Sequence, residues 1–74
     1  MMKEYEVLVE EITPCGGEQH ARKSILEIEA ESPEAYVEEN RRYPVLEQLQ
    51  NQNGDTVVIT GDSHGYIVRY TFTE

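Results

Sequence analysis

The stretch that decides the fold is residues 24–44, SILEIEAESPEAYVEENRRYP, because it contains a strand, a helix start and a helix stop. Its first part alternates in character. Leu26, Ile28 and Ala30 fall on one side, and Ile25, Glu27 and Glu29 fall on the other. A period of two residues predicts a half-buried strand with the aliphatic side facing a core.

Ser32 and Pro33 predict where a helix begins. A serine hydroxyl accepts from a free amide of the first helical turn, and proline fits the first helical position because its missing N–H had no partner there. Pro44 disfavours helical geometry at Tyr43, so we expect the helix to end near Arg42. So short a helix needs a sheet to pack against.

The flanking segments predict three further strands and a second helix. Alternation predicts strands at residues 3–12 and 65–73, the latter with Tyr66, Val68, Tyr70 and Phe72 facing inward, and the β-branched run at residues 55–60 predicts another. Residues 44–50 place Val45, Leu46 and Leu49 on one helical face, which predicts a short second helix. Asn53–Gly54 then marks the end of that helix, with a tight hairpin turn as the alternative.

The order of these elements predicts an α+β domain of the ββααββ type. We expect two layers: an antiparallel four-stranded sheet, with one helix and a short second helix on one face. A chain of 74 residues has room for one core, so residues 1–74 are interpreted as a single small acidic domain.

Charge and composition exclude several classes of partner. Fifteen acidic residues against six basic ones give a net charge of −9, which repels nucleic acid and anionic membranes. No stretch of the sequence approaches a membrane span, and the single cysteine cannot form an internal disulfide. We therefore expect a cytoplasmic protein, a monomer or weak homodimer, that contacts neither nucleic acid nor membrane directly.

Two loops contain residues that could carry chemistry. Cys15 and His20 share one loop, and Asp62, Ser63 and His64 share the other. Together they could supply zinc ligands or a nucleophile with its base, but the paired spacings typical of zinc sites are missing. The prediction is therefore no enzyme, no metal and no cofactor, and a metal-dependent or thiol enzyme at Cys15, His20 and His64 remains an alternative.

A protein-contact surface is the preferred functional interpretation. The predicted outer sheet face combines aliphatic and acidic side chains: Leu8, Ile25, Glu27, Glu29, Val58 and Ile67. This favours a small non-catalytic binding or accessory domain with a protein partner that could be basic. The alternative is an acidic mimic of DNA that inhibits a basic nucleic-acid-binding protein, with Glu4, Glu6 and Glu10 extending the carboxylate rows.

Overall fold

The computed structural model describes residues 2–13 and 22–74. These residues form five strands and one helix, in the order β1 (Lys3–Ile12), β2 (Arg22–Ala30), α1 (Pro33–Asn40), β3 (Val45–Gln50), β4 (Thr56–Gly61) and β5 (Ile67–Thr73). The strands make one sheet in the order β2-β1-β5-β4-β3, and each neighbouring pair is antiparallel. The protein is therefore mostly β, with a single short helix among its described residues.

The predicted four-stranded sheet with two helices is wrong, because residues 45–50 form strand β3 and not a helix. The segment pairs with β4, and the turn that joins them is built by Asn51, whose side-chain Oδ1 accepts from the amides of Asn53 and Asp55 at 2.9 and 3.0 Å. Gly54 adopts a φ of 84°, which glycine tolerates without strain. The alternative of a hairpin is therefore observed at this point, but its turn spans residues 51–55 and is wider than a tight Asn53–Gly54 turn.

Helix α1 begins where the sequence predicts. The Ser32 hydroxyl accepts from the Ala35 amide at 3.1 Å, and Pro33 is the first helical residue. The helix ends at Asn40, two residues earlier than expected, and the Arg41 amide bonds the Val37 carbonyl at 2.7 Å in the last turn.

The core lies between α1 and one face of the sheet, which we call the covered face. Its buried members come from the helix and four strands: Tyr5, Val7, Ala30, Val37, Val58, Tyr70 and Phe72. Phe72 is at the centre, since its ring lies 5.8 Å from those of both Tyr5 and Tyr36 in edge-to-face contact. The predicted inward register of β5 is confirmed for Val68, Tyr70 and Phe72, whereas Tyr66 precedes the strand and is exposed.

Strand β3 is tied to the helix as well as to β4. The side-chain amide of Gln48 donates a hydrogen bond to the Glu34 carboxylate in the first turn of α1. The pKa of Glu34 is lowered, first by its own backbone N–H and then, against some desolvation, by hydrogen bonds from Gln48 and Ser32. Within residues 2–13 and 22–74, no helix is long and apolar enough to span a membrane.

Candidate functional site

The sheet face opposite α1, which we call the open face, is the candidate site. Strand register places its side chains in rows that run across the strands. One row is mainly apolar and reads Ile25, Leu8, Thr71, Val57 and Leu49 from β2 to β3. With strands about 4.8 Å apart, this row extends about 19 Å, from one edge of the sheet to the other.

A charged row lies next to the apolar row. It reads Lys23, Glu10, Arg69, Ile59 and Glu47 across the five strands. At its centre, Arg69 donates two hydrogen bonds of 2.9 Å to the two carboxylate oxygens of Glu10, and the Lys23 ammonium lies 3.9 Å from one of them. These contacts show that the three side chains share the open face.

Glu10 is unusual for a residue on this face because only 7% of it is exposed. The Arg69 hydrogen bonds lower its pKa, burial opposes that effect, and the positive charges of Arg69 and Lys23 lower the pKa further. Glu10 is therefore ionised at neutral pH and held in one orientation. Together with Arg69 and Lys23, Glu10 forms a row of paired charges beside the apolar row.

A second apolar group lies beyond the charged row. Ile12 pairs with Ile67, and Ile67 pairs with Gly61. A Cβ placed on Gly61 would lie 2.8 Å from Leu46 Cδ1 and 3.0 Å from Ile67 Cδ1, so these two side chains close over the glycine. Leu46 nevertheless remains 53% exposed.

On the side of the apolar row away from Glu10, the open face of β1 and β2 is acidic. Glu4 pairs with Glu29, and Glu6 pairs with Glu27, so like charges stand directly opposite each other. We call these four residues the carboxylate block. They line an open depression of about 500 Å³ together with Thr73 and Glu74.

The predicted contact residues divide between the two faces. Leu8, Ile25, Glu27, Glu29 and Ile67 all lie on the open face, and Ile25 is 66% exposed. Val58 does not belong with them, because it points to the covered face and is 1% exposed. The run Val57-Val58-Ile59 is apolar on both sides, so the sequence could not indicate which residue faces α1, and Val57 takes the place expected for Val58.

The sequence analysis missed several open-face residues. Leu46, Leu49 and Glu47 were assigned to a helix, and Glu10 was interpreted only as part of an acidic row. Even a strand assignment would have placed Leu46 and Leu49 on opposite faces, because they are three residues apart. The irregularity in pairing between Val45 and Glu47 brings Leu46 to the same face as Leu49.

The two-loop chemical site is only partly described. Cys15 and His20 lie outside the described residues. Asp62 uses Oδ1 to accept from the amides of His64 and Tyr66 at 2.8 and 3.1 Å, which forms the turn between β4 and β5. Among the residues described, no group of three or more histidine, cysteine or acidic side chains could hold a metal ion. A metal or thiol site stays an untested hypothesis.

A smaller groove on the covered face contains tyrosines. It has a volume of about 190 Å³ and is lined in part by Tyr36, Tyr70, Arg42 and Glu11. Burial raises the pKa of Tyr70, the nearby Tyr36 and Glu11 add to that, and Arg42 opposes it. The groove is smaller than the cavities of roughly 300 Å³ or more that bind small molecules.

Comparison with known proteins found no matching family model, no matching curated protein and no matching solved structure.

Proposed function

We propose that this chain is a small non-catalytic binding domain that contacts another protein through the open face of its sheet. The single observation that carries the proposal is the mainly apolar row Ile25-Leu8-Thr71-Val57-Leu49, which crosses the sheet on the face opposite α1. A mainly apolar strip that is exposed at both ends and bordered by charged residues is typical of protein-contact surfaces. The proposal includes a cytoplasmic location, which the single cysteine supports.

The rigidity of the face supports this proposal. Three of the five strands that carry the row, β1, β5 and β4, are hydrogen-bonded to a neighbouring strand on each side. Val57, near the middle of the row, is only 7% exposed even though it lies on the face opposite α1. A surface that is already ordered loses little conformational entropy when it binds. The two edge positions, Ile25 and Leu49, are the most accessible points of the row for a partner.

The test compares matched pairs of substitutions on the two faces. Ile25→Ser with Leu49→Ser removes exposed aliphatic groups from the open face. Leu26→Ser with Val45→Ser is the control, because these residues are also exposed aliphatics, at 40% and 43%, but lie on the covered-face side. Each variant is immobilised beside the wild type, and proteins recovered from the source lysate are quantified by mass spectrometry.

We expect at least one specifically recovered protein to be lost with the open-face variant and kept with the control variant. Circular dichroism melts of both variants establish that they remain folded. Equal recovery by wild type and both variants would show that the open face is not the binding surface.

An acidic mimic of DNA is the second candidate, and the carboxylate block favours it. Its rows are separated by about 6.8 Å along the strands, since two residues of a strand rise by that distance, and charge in such a block resembles that of a phosphate backbone. The test is competition: a mimic displaces duplex DNA from the recovered partner. A partner that binds the chain and DNA together excludes mimicry and leaves the binding-domain proposal in place.

A further inference from the structure

We infer that the partner of the open face is a basic protein, whose cationic side chains lie against the carboxylate block while an apolar side chain covers Leu8 and Ile25. This inference rests on the proposed function and adds the partner's chemistry to it. Among residues 2–13 and 22–74, α1 packs on the covered face and no helix packs on the open face, so the local charge of the open face is what selects among possible occupants.

The first step is that the charge of the block is not neutralised within the described chain. The ion pairs among residues 2–13 and 22–74 end on Glu10, Glu38 and Glu74. Glu4, Glu6, Glu27 and Glu29 are all exposed, and they oppose one another in like-charge pairs across β1 and β2. A cation placed among them gains attraction from several carboxylates and also relieves their repulsion.

The second step is that the block adjoins the apolar row. Ile25 is two residues from Glu27 on β2, and Leu8 is two residues from Glu6 on β1, so each aliphatic side chain lies about 6.8 Å from a carboxylate-bearing position on the same face. A partner that covers the aliphatic pair excludes water next to the charges. Excluding water strengthens the attraction between the carboxylates and a neighbouring cation.

The third step excludes a second copy of this chain. Among the residues that the structure describes, the rows place six carboxylates on the open face, Glu4, Glu6, Glu10, Glu27, Glu29 and Glu47, against the two cations Lys23 and Arg69. Both cations already contact Glu10. Two such faces would repel each other, and the net charge of −9 on each chain adds to that repulsion at longer range. A basic surface is the complementary occupant.

The probe is a pair of synthetic peptides that share the same leucine and phenylalanine residues and differ only in having lysine or glutamate at every polar position. Each is titrated into the ¹⁵N-labelled full chain, and amide shifts are followed at low and moderate salt. We expect the lysine peptide to shift open-face amides of β1, β2 and β5, with an affinity that falls as salt rises. The glutamate peptide should not bind.

Variants with the same change in net charge locate the effect. Glu27→Gln with Glu29→Gln should weaken binding of the lysine peptide by about fivefold, as expected for two exposed ion pairs. Glu31→Gln with Glu39→Gln removes two exposed carboxylates outside the open face, and it should change the affinity by less than about twofold.

Each contrary result overturns this inference in a recognisable way. Equal binding of both peptides at the open face means that apolar contact alone drives docking, which leaves the proposed function standing. If both double variants weaken binding of the lysine peptide equally, the peptide responds only to the net charge of the chain and not to the carboxylate block. A basic partner is also rejected if the lysine peptide does not shift the open-face amides. It is rejected as well if the wild-type chain forms a dimer that Ile25→Ser with Leu49→Ser dissociates. The proposed function is decided separately by lysate recovery with the serine variants.

Discussion

Glu10 and Arg69, on the adjacent strands β1 and β5, are joined by two parallel hydrogen bonds of 2.9 Å on the open face. The pair links residues 59 positions apart in sequence. Glu10 is mostly buried, so its carboxylate depends on Arg69 and Lys23 to compensate for lost hydration. Stability should therefore depend on the ionisation of this one carboxyl group.

Glu10→Gln should lower the free energy of unfolding by about 1–3 kcal/mol at pH 7. The folded-state pKa of Glu10 lies below its ordinary value of 4.5, so ionised Glu10 stabilises the fold fully above about pH 4.5. That contribution is lost as the pH falls through the folded pKa. Urea unfolding of both proteins from pH 7 to pH 3 should show the difference between them shrinking below pH 4.5. A constant difference across this range would contradict the ionic role of Glu10.

The carboxylate block should destabilise the free protein. Glu27→Gln with Glu29→Gln removes both like-charge pairs across β1 and β2, and it should raise the free energy of unfolding by about 0.2–1 kcal/mol for each pair. The gain should shrink in moderate salt, which screens the same repulsion in the wild type. Thermal melts at two salt concentrations measure both effects, and unchanged or lower stability of the variant would refute the prediction.

Ser32→Ala should cost about 0.5–2 kcal/mol, because the Ala35 amide loses its hydrogen-bond acceptor at the start of α1. Ser32→Asp keeps an acceptor there and should cost much less. Denaturant midpoints of the three proteins give the comparison. Identical midpoints for wild type and Ser32→Ala would mean that the cap contributes nothing.

Phe72→Ala should destabilise the fold by about 3–5 kcal/mol, a large fraction of the stability of so small a domain. The Phe72 ring is buried and contacts those of Tyr5, Tyr36 and Tyr70. Thr73→Ala, at the next and exposed position of β5, is the control and should change stability by less than about 0.5 kcal/mol. Chemical unfolding followed by tyrosine fluorescence reports both changes, and similar losses would place the ring outside the core.

Local signals predicted the parts of the fold that depend on neighbouring residues. Ser32 and Pro33 fixed the helix start, and the alternation in β1 and β5 correctly separated covered-face from open-face side chains. The helix predicted for residues 44–50 is wrong because β3 is an edge strand whose six residues are all exposed, so neither of its faces needs a regular apolar pattern. Val45, Leu46 and Leu49 then fit a helical spacing by coincidence.

The candidate site was predictable only in part for a related reason. Leu8, Ile25 and Ile67 could be assigned to one face from alternation within their own strands. The pairing of Glu10 with Arg69 and the row from Ile25 to Leu49 both depend on the strand order, in which β5 lies between β1 and β4. Nothing local in the sequence specifies that order, since it results from contacts between distant segments.

The position of β5 in the sheet also affects the rate and order of folding. β1 with β2, and β3 with β4, can each form a hairpin from nearby residues, but β1 meets β5 only by closing a loop of nearly the whole described chain. Loop closure of this length costs entropy before any contact repays it, so folding should be slower than for a helical protein of equal size. On the ribosome, the apolar row stays in two separate halves until β5 has been synthesised. The full open-face row is therefore completed in one late step of folding.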